Sequence, residues 1–287
     1  MFFGPAAFRT AIVCLSALVP ACLHAEGIDT EHLFGFTIGT DVGSPGEREF
    51  QSQTTGRFSK SAGNYRAINQ EFELEFLPAK NFRIELGSAF AAYDINGVAD
   101  LEDRSQLAWQ GISVDLRYRF LDRDVAPFGL TFALETHSDR IDERTAAPAR
   151  RYTTELTLAL DRELIPNRVV AAFNLFYEPE WTRFGTGLAE RESTVGGAVA
   201  MMTQIRPGFL IGGEVRYFRR YDGIGLDESA GQALFAGPTA YLQLSERSRL
   251  TVAWSIQAWG RAAGSAAALD LVNFERHQAR LIFGVNF

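Results

Sequence analysis

Arg280-Leu281-Ile282-Phe283-Gly284-Val285-Asn286-Phe287 is the stretch whose reading decides the fold. Leu281, Phe283, Val285 and Phe287 alternate with Arg280, Gly284 and Asn286, so an extended chain here has one greasy face and one mostly polar or small face. The same two-residue period recurs upstream. Ile112, Val114, Leu116, Tyr118 and Phe120 oppose Ser113, Asp115, Arg117 and Arg119. Phe128, Leu130, Phe132 and Leu134 oppose Gly129, Thr131, Ala133 and Glu135. Val169, Ala171, Phe173, Leu175 and Tyr177 share a face, and Leu250, Val252, Trp254, Ile256 and Ala258 oppose Thr251, Ser255 and Gln257.

Turn signals separate these runs in two alternating sets. Short breaks fall at Pro78 to Asn81, Leu121 to Ala126, Ile165 to Asn167, Arg206 to Gly208 and Ser245 to Ser248. Longer polar breaks fall near 43–64, 95–105, 139–149, 182–192, 222–231 and 262–272. The intervals predict about twelve strands, beginning at 32–42 and ending at 273–287. The weakly strand-like segment 47–58 is assigned to the first long loop, because counting it would give an odd number. Pro238 falls mid-strand and lacks a ladder donor, so a bulge or kink is expected there.

The other end of the chain reads as a secretory signal peptide over residues 1–25. Arg9 precedes an apolar run from Ala11 to Val19, and Leu23-His24-Ala25 offers a cut between Ala25 and Glu26. Val19-Pro20-Ala21-Cys22 loosely resembles a lipobox, with a proline that fits it poorly. No run reaches the roughly 20 apolar residues of a spanning helix. Any crossing of a membrane is therefore by strands. Cys14 and Cys22 both lie in this leader, which leaves residues 26–287 without a disulfide or a thiolate metal site.

The closing alternation with its final phenylalanine resembles the last strand of Gram-negative outer-membrane β-barrel proteins. The resemblance implies that Leu281, Phe283, Val285 and Phe287 form a signal read by the barrel-assembly machinery, and that residues 26–287 are one barrel domain. It further implies outer-membrane lipids as surroundings, secretion to the periplasm before insertion, short periplasmic turns and longer external loops. A mean hydropathy near zero fits this class, because lipid-facing and lumen-facing residues cancel in any window. A soluble β-sandwich also alternates, but its strands are usually nearer 5–6 residues. The net charge of −7 gives no basic surface for nucleic acid.

Twelve strands leave a bore between the filled eight-stranded barrels and the wide porins. The inward set predicted near mid-height is Glu71, Glu73 and Glu85, then Asp115, Arg117, Glu135 and Glu155, then Glu214, Arg216, Gln257 and Arg280. Acids outnumber arginines, so an open bore would be a narrow passage for small solutes that mildly favours cations. A bore sealed by paired charges, such as Asp115 or Glu135 with Arg117 or Arg216, would instead make a non-conducting structural or assembly-associated barrel. The outer-membrane phospholipase family shares the strand count and suggests His137-Ser138 as a third reading. Adjacent strand residues face opposite ways, which separates that base from that nucleophile. His32, His137 and His277 are too scattered in sequence to predict a metal cluster, and no cofactor motif is present. The oligomeric state is not encoded in any pattern of this kind.

Overall fold

A computed structural model describes residues 27–287, so the leader, Ala25 and Glu26 lie outside the described residues. Twelve strands follow in order: β1 (Arg48–Phe58), β2 (Asn64–Ala79), β3 (Phe82–Asn96), β4 (Arg104–Leu121), β5 (Gly129–Ile141) and β6 (Pro148–Ile165), then β7 (Val169–Phe184), β8 (Ala189–Arg206), β9 (Phe209–Asp222), β10 (Glu228–Gln243), β11 (Ser248–Ala262) and β12 (His277–Asn286). Each pairs antiparallel with its sequence neighbours, and β1 pairs with β12 to close the barrel. Closure removes every sheet edge, which a strand structure needs in hydrocarbon.

Alternation places the side chains. Phe72 and Leu74, Ile112 and Val114, Phe173 and Leu175, and Val252 and Trp254 lie on the exposed outer face. Their intervening neighbours Glu73, Ser113, Asn174 and Ala253 are buried, and three of the four are polar. A continuous apolar outer wall around a polar interior is the reverse of a soluble core. On β12, Leu281, Phe283 and Phe287 are exposed on the outer wall, while Ile282 is buried. The Phe287 amide still donates to Arg48 O at 3.0 Å across the closing seam.

One rim carries the short connections, with Asn81, Asn167 and Gly208 at positive φ (66°, 55° and 73°) where the chain reverses. We call this the turn rim and the opposite one the loop rim. The strands run further toward the loop rim than alternation suggests, and 263–276 is the longest connection there.

The first predicted strand is corrected. Residues 32–42 are not in the wall, and 48–58, read as loop, is β1. Segment 48–58 has few apolar residues, so its period is faint. Its place is fixed by long-range pairing instead: Phe50 opposite Val285 and Leu74, and Ser52 opposite Phe283 and Phe72. The irregularity expected at Pro238 falls on its β11 side, where Gly237 and Pro238 have no paired partner. The β10–β9 register is unbroken through Pro238, while the β10–β11 register shifts between Leu234 and Phe235. Tyr93, near the loop-rim end of β3, points inward. It packs with Tyr65 beneath loop 142–147 and donates to Glu143 O at 3.4 Å.

Candidate functional site

The lumen is crossed by residues 27–42. Their backbone donors find side chains of the wall rather than a ladder, which accounts for groups that could not otherwise be buried. The amides of Gly35 and Thr37 donate to the Glu214 carboxylate at 2.8 and 2.7 Å, with Phe36 N at 3.0 Å. The hydroxyls of Thr37 and Thr239 complete that cradle at 2.7 and 2.5 Å. Asn174 takes the Ile38 amide at 2.8 Å and returns a bond to Ile38 O at 2.9 Å. Asp161 accepts from Thr40 N at 2.8 Å and from the Thr30 hydroxyl, while Arg123 spans Asp161 and Asp41.

Phe36 sits at the centre of this crossing. The guanidinium of Arg216 lies 3.7 Å from its ring centroid and that of Arg280 lies 4.8 Å away. Two flat cations against one aromatic ring form a cation–π stack. Gly35 is required beside it, because a Cβ there would meet Ala253 Cβ at 2.2 Å. The segment thus lodges inside the bore, held to the wall by these side chains.

Toward the loop rim, Phe36, Arg216 and Arg280 line a cavity of about 360 Å³. Glu71, Glu135 and Glu155 lie on its walls with His137 and Glu178. Glu71 accepts from Ser113 at 2.6 Å, Glu155 from Thr157 at 2.6 Å, and Glu135 pairs with His137 at 2.9 Å. Two loops fold over the mouth. Gln257 bonds Asp270 and Glu275 of loop 263–276, whose Phe274 packs on Phe218 and Phe235. Lys60 reaches the same loop at Phe274 O, 2.9 Å away, and burial lowers its ammonium to a pKa of about 8.

Loop 142–147 is held by Glu143, which pairs with Arg57 at 2.6 Å and Arg151 at 3.4 Å. Burial works against the Glu143 charge, yet the two guanidiniums hold its pKa down to about 2. A folded value below the free one means that docking is favoured above pH 4.5 and is lost as pH falls through 2. A nitroxide on Ala147→Cys should stay immobile at pH 4 and become mobile near pH 2. Glu143→Gln should leave it mobile at both.

The remaining predicted residues gather beside β1–β4, nearer the turn rim. Arg83, with no exposed surface, lies 2.5 Å from Glu85, 2.9 Å from Glu31 and 3.5 Å from Glu75. Asp115 pairs with Arg117 at 2.6 Å, as one of the anticipated pairs, and Glu73 accepts from Gln51. The other anticipated pairings do not form: Glu135 takes His137, and Arg216 takes Phe36. Sequence reasoning missed Arg83, Glu75, Asp161, Asn174 and Phe36. The first four share the inward parity of residues that were chosen, but lie off mid-height or carry no charge. Phe36 was read as part of a wall strand.

His137 and Ser138 diverge as alternation requires. His137 faces the lumen, while Ser138 lies with Arg140, Tyr152 and Arg183 along an outer groove.

The structure is similar to the COG4313 outer membrane channel from Pseudomonas putida F1, with a TM-score of 0.59 and 11% identity, over 86% of this chain and 98% of that one. It is also similar to the NanC porin, with a TM-score of 0.50 and 9% identity, over 83% of this chain and 100% of that one. At such identities the likeness establishes the fold, that of Gram-negative outer-membrane β-barrels. No curated protein sequence matches the chain. Residues 26–287 match a family of unknown function, DUF6662, and the chain belongs to that family.

Proposed function

We propose that the protein is an outer-membrane channel for small polar solutes, mildly favouring cations and shut at its waist by its own N-terminal segment. The observation that carries this reading is the segment lodged in the bore. A charged chamber of about 360 Å³ ends on residues 35–38, which are held by side-chain hydrogen bonds and a ring stack, not by strand pairing. Such contacts can be exchanged for water without breaking the barrel ladder. The outer face supports residence in lipid, and the two similar structures are those of an outer membrane channel and a porin.

The cation preference rests on the chamber walls. Glu71, Glu135, Asp139, Glu143, Glu155 and Glu178 face Arg57, Arg151, Arg216 and Arg280, and an acidic excess raises the local cation concentration. Glu155 and Glu178 have no arginine within ion-pair distance among the described residues. Planar-bilayer recording of residues 26–287 across a salt gradient tests the reading, with rare, brief unitary openings and a cation-signed reversal potential expected. Replacing Glu135 by glutamine should lower the cation-to-anion permeability ratio on the order of twofold.

The same lodged segment favours a second reading, a structural barrel that never conducts. Silence from a folded barrel whose N-terminal segment has been freed would select it.

A further inference from the structure

We propose that Glu31, His32 and Glu75 form a transition-metal site, suited to zinc, that clasps the lumenal segment to the barrel wall near the turn rim. His32 and Glu31 belong to the segment that crosses the bore, while Glu75 belongs to β2, so no local sequence pattern brings them together. Their ligand atoms lie within 4.8 Å of one another. His32 Nε2 is the second observation. It is buried in a side chain only one-tenth exposed and has no hydrogen-bond partner.

That nitrogen is aimed at carboxylate oxygens. Glu75 Oε2 lies 3.5 Å away, Glu49 Oε2 3.7 Å and Glu31 Oε2 3.9 Å. These separations are too long for hydrogen bonds. The Glu75 separation falls within the edge of a tetrahedral zinc shell, about 3.3–3.6 Å for bonds of 2.0–2.2 Å, and the other two lie 0.1 and 0.3 Å beyond it.

Arg83 and Arg249 border the site, and Arg83 lies 3.5 Å from the same Glu75 Oε2 that faces His32. Arg83 binds Glu31 through Oε1 and Arg249 binds Glu49 through Oε1, which leaves the Oε2 atom of each turned toward His32. Glu49 is thus placed as a fourth donor. Imidazole with carboxylates suits zinc and its first-row neighbours better than magnesium or calcium, which take oxygen alone. A turn-rim cavity of about 120 Å³, lined by Asp29, Glu31, His32 and Glu49, supplies an entry path. A bound ion would join the segment to β1 and β2 at once. This inference stands whether or not the bore conducts.

The test is calorimetric titration of zinc into the refolded full barrel, with heat-modifiable gel migration as the folding control. One zinc per barrel is expected, unaffected by excess magnesium. His32→Ala and Glu75→Gln should each weaken binding at least about tenfold, a loss that even outer partners of a ligand can cause. His137→Ala should leave it unchanged. X-ray absorption of the zinc-loaded wild type should show one imidazole among oxygen donors, which keeps the test decisive if either variant fails to fold. Absence of saturable zinc uptake by the folded barrel would overturn the proposal. So would equal affinity in both variants, or a zinc shell without imidazole.

Discussion

Glu214→Gln is expected to turn a barrel that is mostly shut into one that conducts, raising the open fraction on the order of 100-fold. Glu214 accepts from three backbone amides of the lumenal segment at 2.8, 3.0 and 2.7 Å and from two threonine hydroxyls. A glutamine keeps the shape but offers one acceptor oxygen and turns an NH₂ group toward amides that are themselves donors. Hydrogen bonds to a charged group contribute about 1.5–3 kcal/mol each, so losing two good ones weakens the seal by roughly 3 kcal/mol. Each 1.4 kcal/mol is a factor of ten in a population.

The barrel itself should survive the change. Apart from Thr239, the partners of the Glu214 side chain all lie on the segment, and the β9 ladder to β8 and β10 does not use it. Single-channel recording beside the wild type measures the effect, with gel migration confirming the fold. An open fraction within twofold of wild type would show that Glu214 does not govern closure.

The second large effect is on stability. Arg83→Met should destabilise the barrel by about 3–5 kcal/mol, the cost of leaving buried charge without its partner. Arg83 has no exposed surface and stands among Glu31, Glu75 and Glu85. Its removal leaves three carboxylates facing one another in a poorly solvated wall. Urea unfolding in lipid vesicles would report a lower midpoint with an unchanged slope. Adding Glu85→Gln to Arg83→Met should recover part of the loss, because one of the stranded charges is then gone. A single variant as stable as wild type would mean that water reaches this cluster and replaces the guanidinium.

Two-residue periodicity made the wall legible. It placed Glu71, Asp115, Glu135, Glu214 and Arg280 on one side of their strands and Leu74, Val114 and Leu281 on the other, because a strand cannot choose its faces independently. The same logic misread both segments near the start of the chain. Phe34, Phe36 and Ile38 alternate as a strand would, yet their backbone is satisfied by Glu214 and Asn174, which are distant in sequence. Segment 48–58 shows little alternation, yet barrel closure requires a partner for both β2 and β12. In both cases the deciding contacts are long-range hydrogen bonds that leave no local pattern. The lodged segment was invisible for that reason, although Glu214 and both arginines against Phe36 had been placed in the lumen.

The most direct test of closure by the N-terminal segment is a planar-bilayer recording of the chain lacking residues 27–42, beside the intact chain. The account predicts stable unitary steps with a cation-signed reversal potential from the shortened barrel, and only rare, brief openings from the intact one. A shortened barrel that migrates as folded, inserts, and passes no current would contradict it.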